Sequence, residues 1–237
     1  MTDRRGELAQ RLRSVRAAIA EACASVGRDP DAVVLVAVSK TWPAEDVAAL
    51  HDLGVHDFGE NRLPELQSKA AALADRDLRW HFLGQIQSKK AGGIGRIAPV
   101  IHSVDRRRIV AGLGAGARDV GRRAEVFLQV SLAEFAPSAE AAGRGGAQPA
   151  DLSELAAAVG QEPNLRLAGV MTLPPRSADP DAVFARLAEI SAQLRRDYPA
   201  ATAISAGMSH DYPAAIRAGA THVRIGSALF GEREYVR

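Results

Sequence analysis

Lys40 stands at the end of a run in which Val34, Val36 and Val38 occupy every second position. In a strand such residues share one face, so the amine is carried on the tip of an apolar stripe. Burial there disfavours the ammonium form, and a neutral amine is what attack on an aldehyde carbon requires. A lysine that snorkels from a strand end into water is the alternative. Lysine occurs only at Lys40, Lys69, Lys89 and Lys90 among 30 basic residues. Where arginine serves so freely for surface charge, a lysine at a strand end invites a chemical explanation.

Two turns late in the chain offer a complementary chemistry. Gly207 and Ser209 lie in one, Gly226 and Ser227 in the other. Glycine lets the backbone N–H groups approach an anion, and serine adds a hydroxyl donor. Helical stretches begin near Ser209 and soon after Ser227, so a helix N-terminus is expected to contribute. Tight turns with no ligand are the plainer reading. Arg224 shares strand parity with Gly226 and is expected to point inward, where it needs an acceptor: a ligand ring nitrogen or a neighbouring carboxylate. His81 either lines the same mouth or is a hydrogen-bonded core residue. His51, His56, His102, His210 and His222 lack zinc-ligand spacing, so no metal is expected. Arg106-Arg107-Arg108 reads as a solvated helix face.

These residues must be positioned by elements that the hydrophobic pattern reveals. Leu8, Leu12, Val15 and Ile19 recur at helical spacing from Arg4 to about Val26. Val33–Val38 is a β-branched run without polar alternation, as in a strand covered on both faces. Further strands are expected at 55–58, 79–83, 100–104, 125–132, 166–172, 202–205 and 222–225. Helices are expected near 43–53, 62–74, 105–118, 150–160, 180–196 and 210–218, with a shorter one after Gly84. Eight strand–helix units after one leading helix predict an α/β fold, a (β/α)8 barrel spanning 1–237 as a single domain. An open doubly wound sheet is the rival. In a barrel the candidate residues fall at the C-terminal strand ends, where barrel active sites are built. The segment 136–149 (APSAEAAGRGGAQP) reads as a long loop on that face, a lid or a plain surface loop. The GLGAG stretch at 112–116 follows helical sequence and is not a dinucleotide fingerprint.

Composition excludes several classes. A net charge of +2 gives no electrostatic case for nucleic acid or membranes. The charged N-terminus lacks an apolar signal core, and no stretch is long and apolar enough to span a bilayer. The single cysteine, Cys23, rules out an internal disulfide and suits a reducing compartment. A cytoplasmic protein is expected.

The segments VAVSKTWP, FGENRLPE, WHFLGQIQSKK, GVMTLPP, SAGMSHDYPAAI and HVRIGSALFGEREY resemble, in order and spacing, the YggS/PROSC family of pyridoxal phosphate homeostasis proteins. The likeness runs from about Val33 to Tyr235. It implies a fold-type III barrel similar to the N-terminal domain of alanine racemase, with pyridoxal 5'-phosphate (PLP) held as a Schiff base on Lys40. By the same resemblance Asn61 lines the pocket and Met171 packs against it. Ser209, Gly226 and Ser227 hold the phosphate with Ser205 nearby, and Arg224 donates to the pyridine nitrogen. Such an arginine keeps that nitrogen unprotonated and weakens the ring as an electron sink. Two departures stand out: Ala141-Ala142-Gly143-Arg144 replaces a Ser-Lys-x-Gly-like stretch, and Pro213 replaces an acidic residue.

The resemblance implies a role in intracellular vitamin B6 homeostasis without turnover, with no catalytic residues. PLP-requiring apo-enzymes are the expected recipients, and the chain is expected to be a monomer. The alternatives are a PLP-dependent amino-acid racemase and a Schiff-base aldolase. A racemase adds a β-rich domain that supplies a tyrosine opposite the lysine, for which the sequence has no room after its eighth strand. Tyr212 and Tyr235 are the tyrosines near the mouth, and nothing places either opposite Lys40. An aldolase needs an acid/base pair, for which Glu60 alone is a thin candidate.

Overall fold

The computed structural model describes residues 3–137 and 145–232. Ala141–Arg144 and Tyr235 lie outside the described residues, as does the middle of the expected 136–149 loop. The strands are β1 (Val34–Val38), β2 (Asp57–Glu60), β3 (Arg79–Phe82), β4 (Val100–Val104), β5 (Ala124–Gln129), β6 (Leu165–Met171), β7 (Ala203–Ser205) and β8 (His222–Ile225). They close in sequence order, every neighbour parallel, and β8 returns to β1 with Val36 opposite Arg224. The open sheet is excluded. The helices are α1 (Arg4–Ala24), α2 (Ala44–Asp52), α3 (Leu63–Ala72), α4 (Ala91–Ile97), α5 (Val110–Arg118), α6 (Leu152–Gly160), α7 (Pro180–Asp197), α8 (Tyr212–Arg217) and α9 (Ser227–Phe230). No helix among the described residues is long and apolar enough to cross a membrane.

Local chemistry explains the boundaries. Asp3 caps α1 by accepting from the Gly6 amide at 3.0 Å, and Leu8, Leu12, Val15 and Ile19 bury the expected stripe. Cys23 is fully buried beside it. The second strand begins at Asp57, later than Val55, because Val55 packs with the outer core before Phe58 pairs with Trp80. The fifth strand stops at Gln129, short of Leu132. There Val130 bridges Ala147 and the Ser131 amide donates to the Ala147 carbonyl, so the returning chain takes over the pairing. The GLGAG stretch lies inside α5, packed against α4. Helix α8 starts at Tyr212, three residues after Ser209, and α9 starts at Ser227 itself.

Alternation divides each strand between two cores. Outward residues such as Phe58, Trp80, Phe82, Ile101, Val223 and Ile225 join the large apolar cluster under the helices. The interior holds a small apolar group of Val100, Phe127, Ala168 and Met171. Beside it stand His81, His102, Ser205 and Arg224, all buried. The apolar stripe of β1 beneath Lys40 therefore faces a partly polar interior. The outward faces of β3 and β8 take their apolar residues, which leaves His81 and Arg224 pointing in beside His102 of β4 and Ser205 of β7.

His81 is a hydrogen-bonded core residue: its Nε2 lies 2.7 Å from Asp57 Oδ1 and its Nδ1 2.8 Å from His102 Nε2. His102 stacks on Phe127 with ring centroids 4.5 Å apart. Burial lowers the pKa of His81 and, more strongly, of His102, and it pushes His222 down to about 3. These histidines stay neutral when folded while the unfolded chain takes up protons below about pH 6.5. Stability should therefore fall as pH drops through that value, by up to about 2 kcal/mol at pH 5 from His222, with His81 and His102 acting in the same direction. Denaturant unfolding at pH 7 and pH 5 measures the loss, and equal midpoints at the two values would contradict neutral interior histidines.

Candidate functional site

The C-terminal strand ends surround a cavity of about 870 Å3. Lys40, Asn61, Met171, Ser209, Arg224, Gly226 and Ser227 all line it, so seven of the sequence-derived candidates meet in one place. Ser205 does not reach the cavity wall. It is fully buried one layer below, where it accepts from Arg224 Nη1 at 2.6 Å.

Lys40 sits two residues past β1, partly exposed, beside Val38 in the cavity wall. The expectation of a largely dry amine is modified accordingly: the side chain is at the lip of the barrel. What fixes it is the turn. Thr41 has φ of 70°, a left-handed conformation that costs a β-branched residue of order 1–3 kcal/mol. Two side chains from α3 hold this backbone. Lys69 Nζ donates to the Ser39 carbonyl at 2.7 Å, and Glu65 Oε1 accepts from the Thr41 amide. Lys69 also bonds Glu60 Oε1 at 2.6 Å and Glu65 Oε1 at 2.9 Å, while Ser39 Oγ donates to Glu60 at 2.7 Å. Glu60 is fully buried, its Oε2 has no hydrogen-bond partner among the described residues, and burial raises its pKa despite Lys69 and Ser39. Its Oε1 serves the turn, and Glu60 does not line the cavity beside Lys40. Asn61 is set by a close approach: a Cβ on Gly84 would lie 1.9 Å from the Asn61 carbonyl.

On the opposite wall Gly207, at φ of 88°, turns the chain from β7 toward α8; a Cβ there would lie 2.7 Å from Tyr212 Cα. Ser209 Oγ then accepts from the Gly226 and Ala228 amides, both at 3.3 Å. Two backbone donors thus converge on one acceptor position at the start of α9. Gly226 itself has room: a Cβ would touch only Val38, at 3.6–3.7 Å, so the protein alone does not demand glycine there. Arg224, 4% exposed, donates to Ser205 Oγ and, at 2.8 Å, to the Thr172 carbonyl. Burial lowers its pKa to about 10, with Asp211 opposing, so it remains a cation at neutral pH. Trp42 completes the rim, stacked on Phe230 at 5.7 Å under the Arg4 guanidinium.

Sequence reasoning passed over Lys69, Glu65 and Thr41. The i,i+4 spacing of Glu65 and Lys69, and the scarcity of lysine, were the available signals. Nothing local announced that Lys69 reaches back to β1. Among the described residues no cluster is arranged to hold a metal ion.

The family model described as alanine racemase, N-terminal domain, matches residues 11–234 of this closed eight-stranded barrel. A relative from Pseudomonas aeruginosa is 45% identical over 96% of each chain, and one from Aquifex aeolicus 38% identical over 95% of this chain and 98% of its own; both are named pyridoxal phosphate homeostasis protein. The chain belongs to that family. PipY of Synechococcus elongatus, solved with PLP bound, superposes with a TM-score of 0.81 at 34% identity, covering 94% of this chain and all of PipY. Alanine racemase from Corynebacterium glutamicum shares the fold, with a TM-score of 0.66 at 12% identity; this chain covers 62% of it.

The clasp on the Lys40 turn yields a double-mutant test. Lys69→Met strands a buried carboxylate and should cost about 3–5 kcal/mol of stability. Adding Glu60→Gln should restore part of that loss. Strictly additive losses in denaturant melts would show that Lys69 and Glu60 do not act as a pair.

Proposed function

We propose that this chain binds PLP in the cavity with Lys40 as its covalent anchor and acts in intracellular PLP homeostasis, without turnover of its own. The observation that carries the reading is the convergence on one cavity of an amine, a buried guanidinium and two backbone donors beside Ser209 and Ser227. The residues fit the group. Its phosphate would take the Gly226–Ala228 amides and the Ser209 and Ser227 hydroxyls, in the space that a side chain at Gly226 would fill. The Arg224 guanidinium would meet the ring nitrogen, Met171 and Asn61 would flank the ring, and Ser205 would act from below through Arg224. Bound PLP supplies an aldehyde for amines and an electron-withdrawing ring.

The chain's own residues argue for keeping this group rather than exploiting it. A permanent cation at Arg224 does not give up its proton, so it leaves the ring nitrogen unprotonated and the ring a weak electron sink. No tyrosine among the described residues lines the cavity, so the second acid/base of a racemase is missing from its wall. The lone buried Cys23 is consistent with a reducing, cytoplasmic setting. Hand-over to PLP-requiring apo-enzymes by a monomeric chain belongs to the same proposal. It is supported by the partly exposed position of Lys40 at the barrel lip.

Purified protein mixed with PLP and desalted should stay yellow. Lys40→Ala should lose the colour and retain PLP at least about tenfold more weakly, because phosphate contacts alone remain. A colourless wild type would remove the proposal. Incubation of the loaded protein with L- or D-alanine should leave optical rotation unchanged, and sustained racemisation would make the chain an enzyme.

A further inference from the structure

Arg224 is a buried cation that, among the described residues, hydrogen-bonds Ser205 Oγ and the Thr172 carbonyl and no carboxylate, with Asp211 acting on it through space. Such a charge is expensive to bury without compensation. Following its bonds leads across the barrel interior. Arg224 Nη1 lies 2.6 Å from Ser205 Oγ, Ser205 Oγ 2.8 Å from His102 Nδ1, His102 Nε2 2.8 Å from His81 Nδ1, and His81 Nε2 2.7 Å from Asp57 Oδ1. The row begins at the PLP cavity and ends at a second cavity, of about 450 Å3, lined by Asp57 at the N-terminal strand ends.

The two ends fix every proton between them. Arginine can only donate and a carboxylate can only accept. Ser205 therefore accepts from Arg224 and donates to His102 Nδ1. His102 donates from Nε2 to His81 Nδ1, and His81 donates from Nε2 to Asp57. Each member spends one donor and no histidine is charged. The reverse arrangement would need a histidinium in the interior and would leave the Ser205 hydroxyl hydrogen without an acceptor in the row. Bonds aligned this way polarise one another, so the negative end is felt at the positive one.

We propose that Asp57 is a remote counter-charge of Arg224, additional to Asp211 and felt through the hydrogen-bonded row, and that Ser205, His102 and His81 are positioning residues that aim the guanidinium at the cofactor ring. The inference rests on the reading that PLP occupies the cavity above Arg224. None of Asp57, His81, His102 or Ser205 lines that cavity, so they act on bound PLP through Arg224 alone. Asp57→Asn is the discriminating variant: it keeps an oxygen for His81 and removes the charge, while Arg79 retains Glu125 at 2.8 Å. His102→Phe breaks the row and keeps the stacking on Phe127.

Two measurements decide the matter. In PLP-free protein, nitrogen NMR should find both His81 and His102 protonated at Nε2; an Nδ1–H form of either would overturn the row's direction. In PLP-loaded protein, Asp57→Asn and His102→Phe should shift the visible maximum in the same sense and weaken PLP retention about tenfold, the scale on which loss of outer partners acts at metal sites. Asp57→Asn should add nothing in the His102→Phe background. A residue needed only for folding would lower the melting point without moving the maximum. An Asp57→Asn protein with wild-type colour and retention overturns the proposal while leaving the cofactor reading intact. A wild type that takes up no PLP overturns that reading, and the NMR result still judges the row by itself.

Discussion

The backbone of one short turn carries the rest of this site. Ser39, Lys40 and Thr41 leave β1 in a conformation that Thr41 would not adopt unaided, and they are held there by Lys69 and Glu65 reaching over from α3. Strand β1 sets the angular position of Lys40 around the barrel, since Val36 and Val38 fill the interior below it. The clasp then sets its height at the rim. Glu60, buried and sharing one oxygen between Lys69 and Ser39, ties the end of β2 to the same point. A shift of this turn would move the amine relative to the cavity wall of Ser209, Gly226 and Ser227 opposite.

That opposite wall depends on a different constraint. Arg224 must sit inside a barrel and remain charged, and among the described residues its direct hydrogen bonds go to neutral acceptors while Asp211 acts through space. A carboxylate at bonding distance would hold the guanidinium to itself. A neutral row of Ser205, His102 and His81 leaves one edge of Arg224 in the cavity wall. The polar interior thus costs some apolar burial in the barrel centre, which the large cluster between strands and helices offsets.

Much of this was legible in the sequence, for physical reasons. Eight strand–helix alternations point to a parallel sheet covered by helices, and the pairing of β8 with β1 closes it into the barrel. Strand parity placed Arg224 inside, and the Gly/Ser turns after the last two strands marked a cradle. The limits are equally physical. Parity cannot say whether an inward residue reaches the cavity or stops below it, and this separates Ser205 from Arg224. The row joining His81 and His102 left no local signature, because His102 lies 21 positions from His81 and 103 from Ser205 along the chain. The end of β5 was misjudged since its pairing partner, Ala147, returns from beyond a long loop. Lys69 was invisible as part of the site because helix α3 presents it to a backbone carbonyl, and a carbonyl leaves no signature in sequence.

The account turns on Lys40 as the residue that takes the cofactor's aldehyde. Reduction of PLP-loaded protein with borohydride, followed by peptide mass mapping, reads this directly. The account predicts a single pyridoxyl label, on the peptide carrying Lys40. A label on Lys69, Lys89 or Lys90 with Lys40 unmodified, or no label in protein that retains PLP, would contradict it.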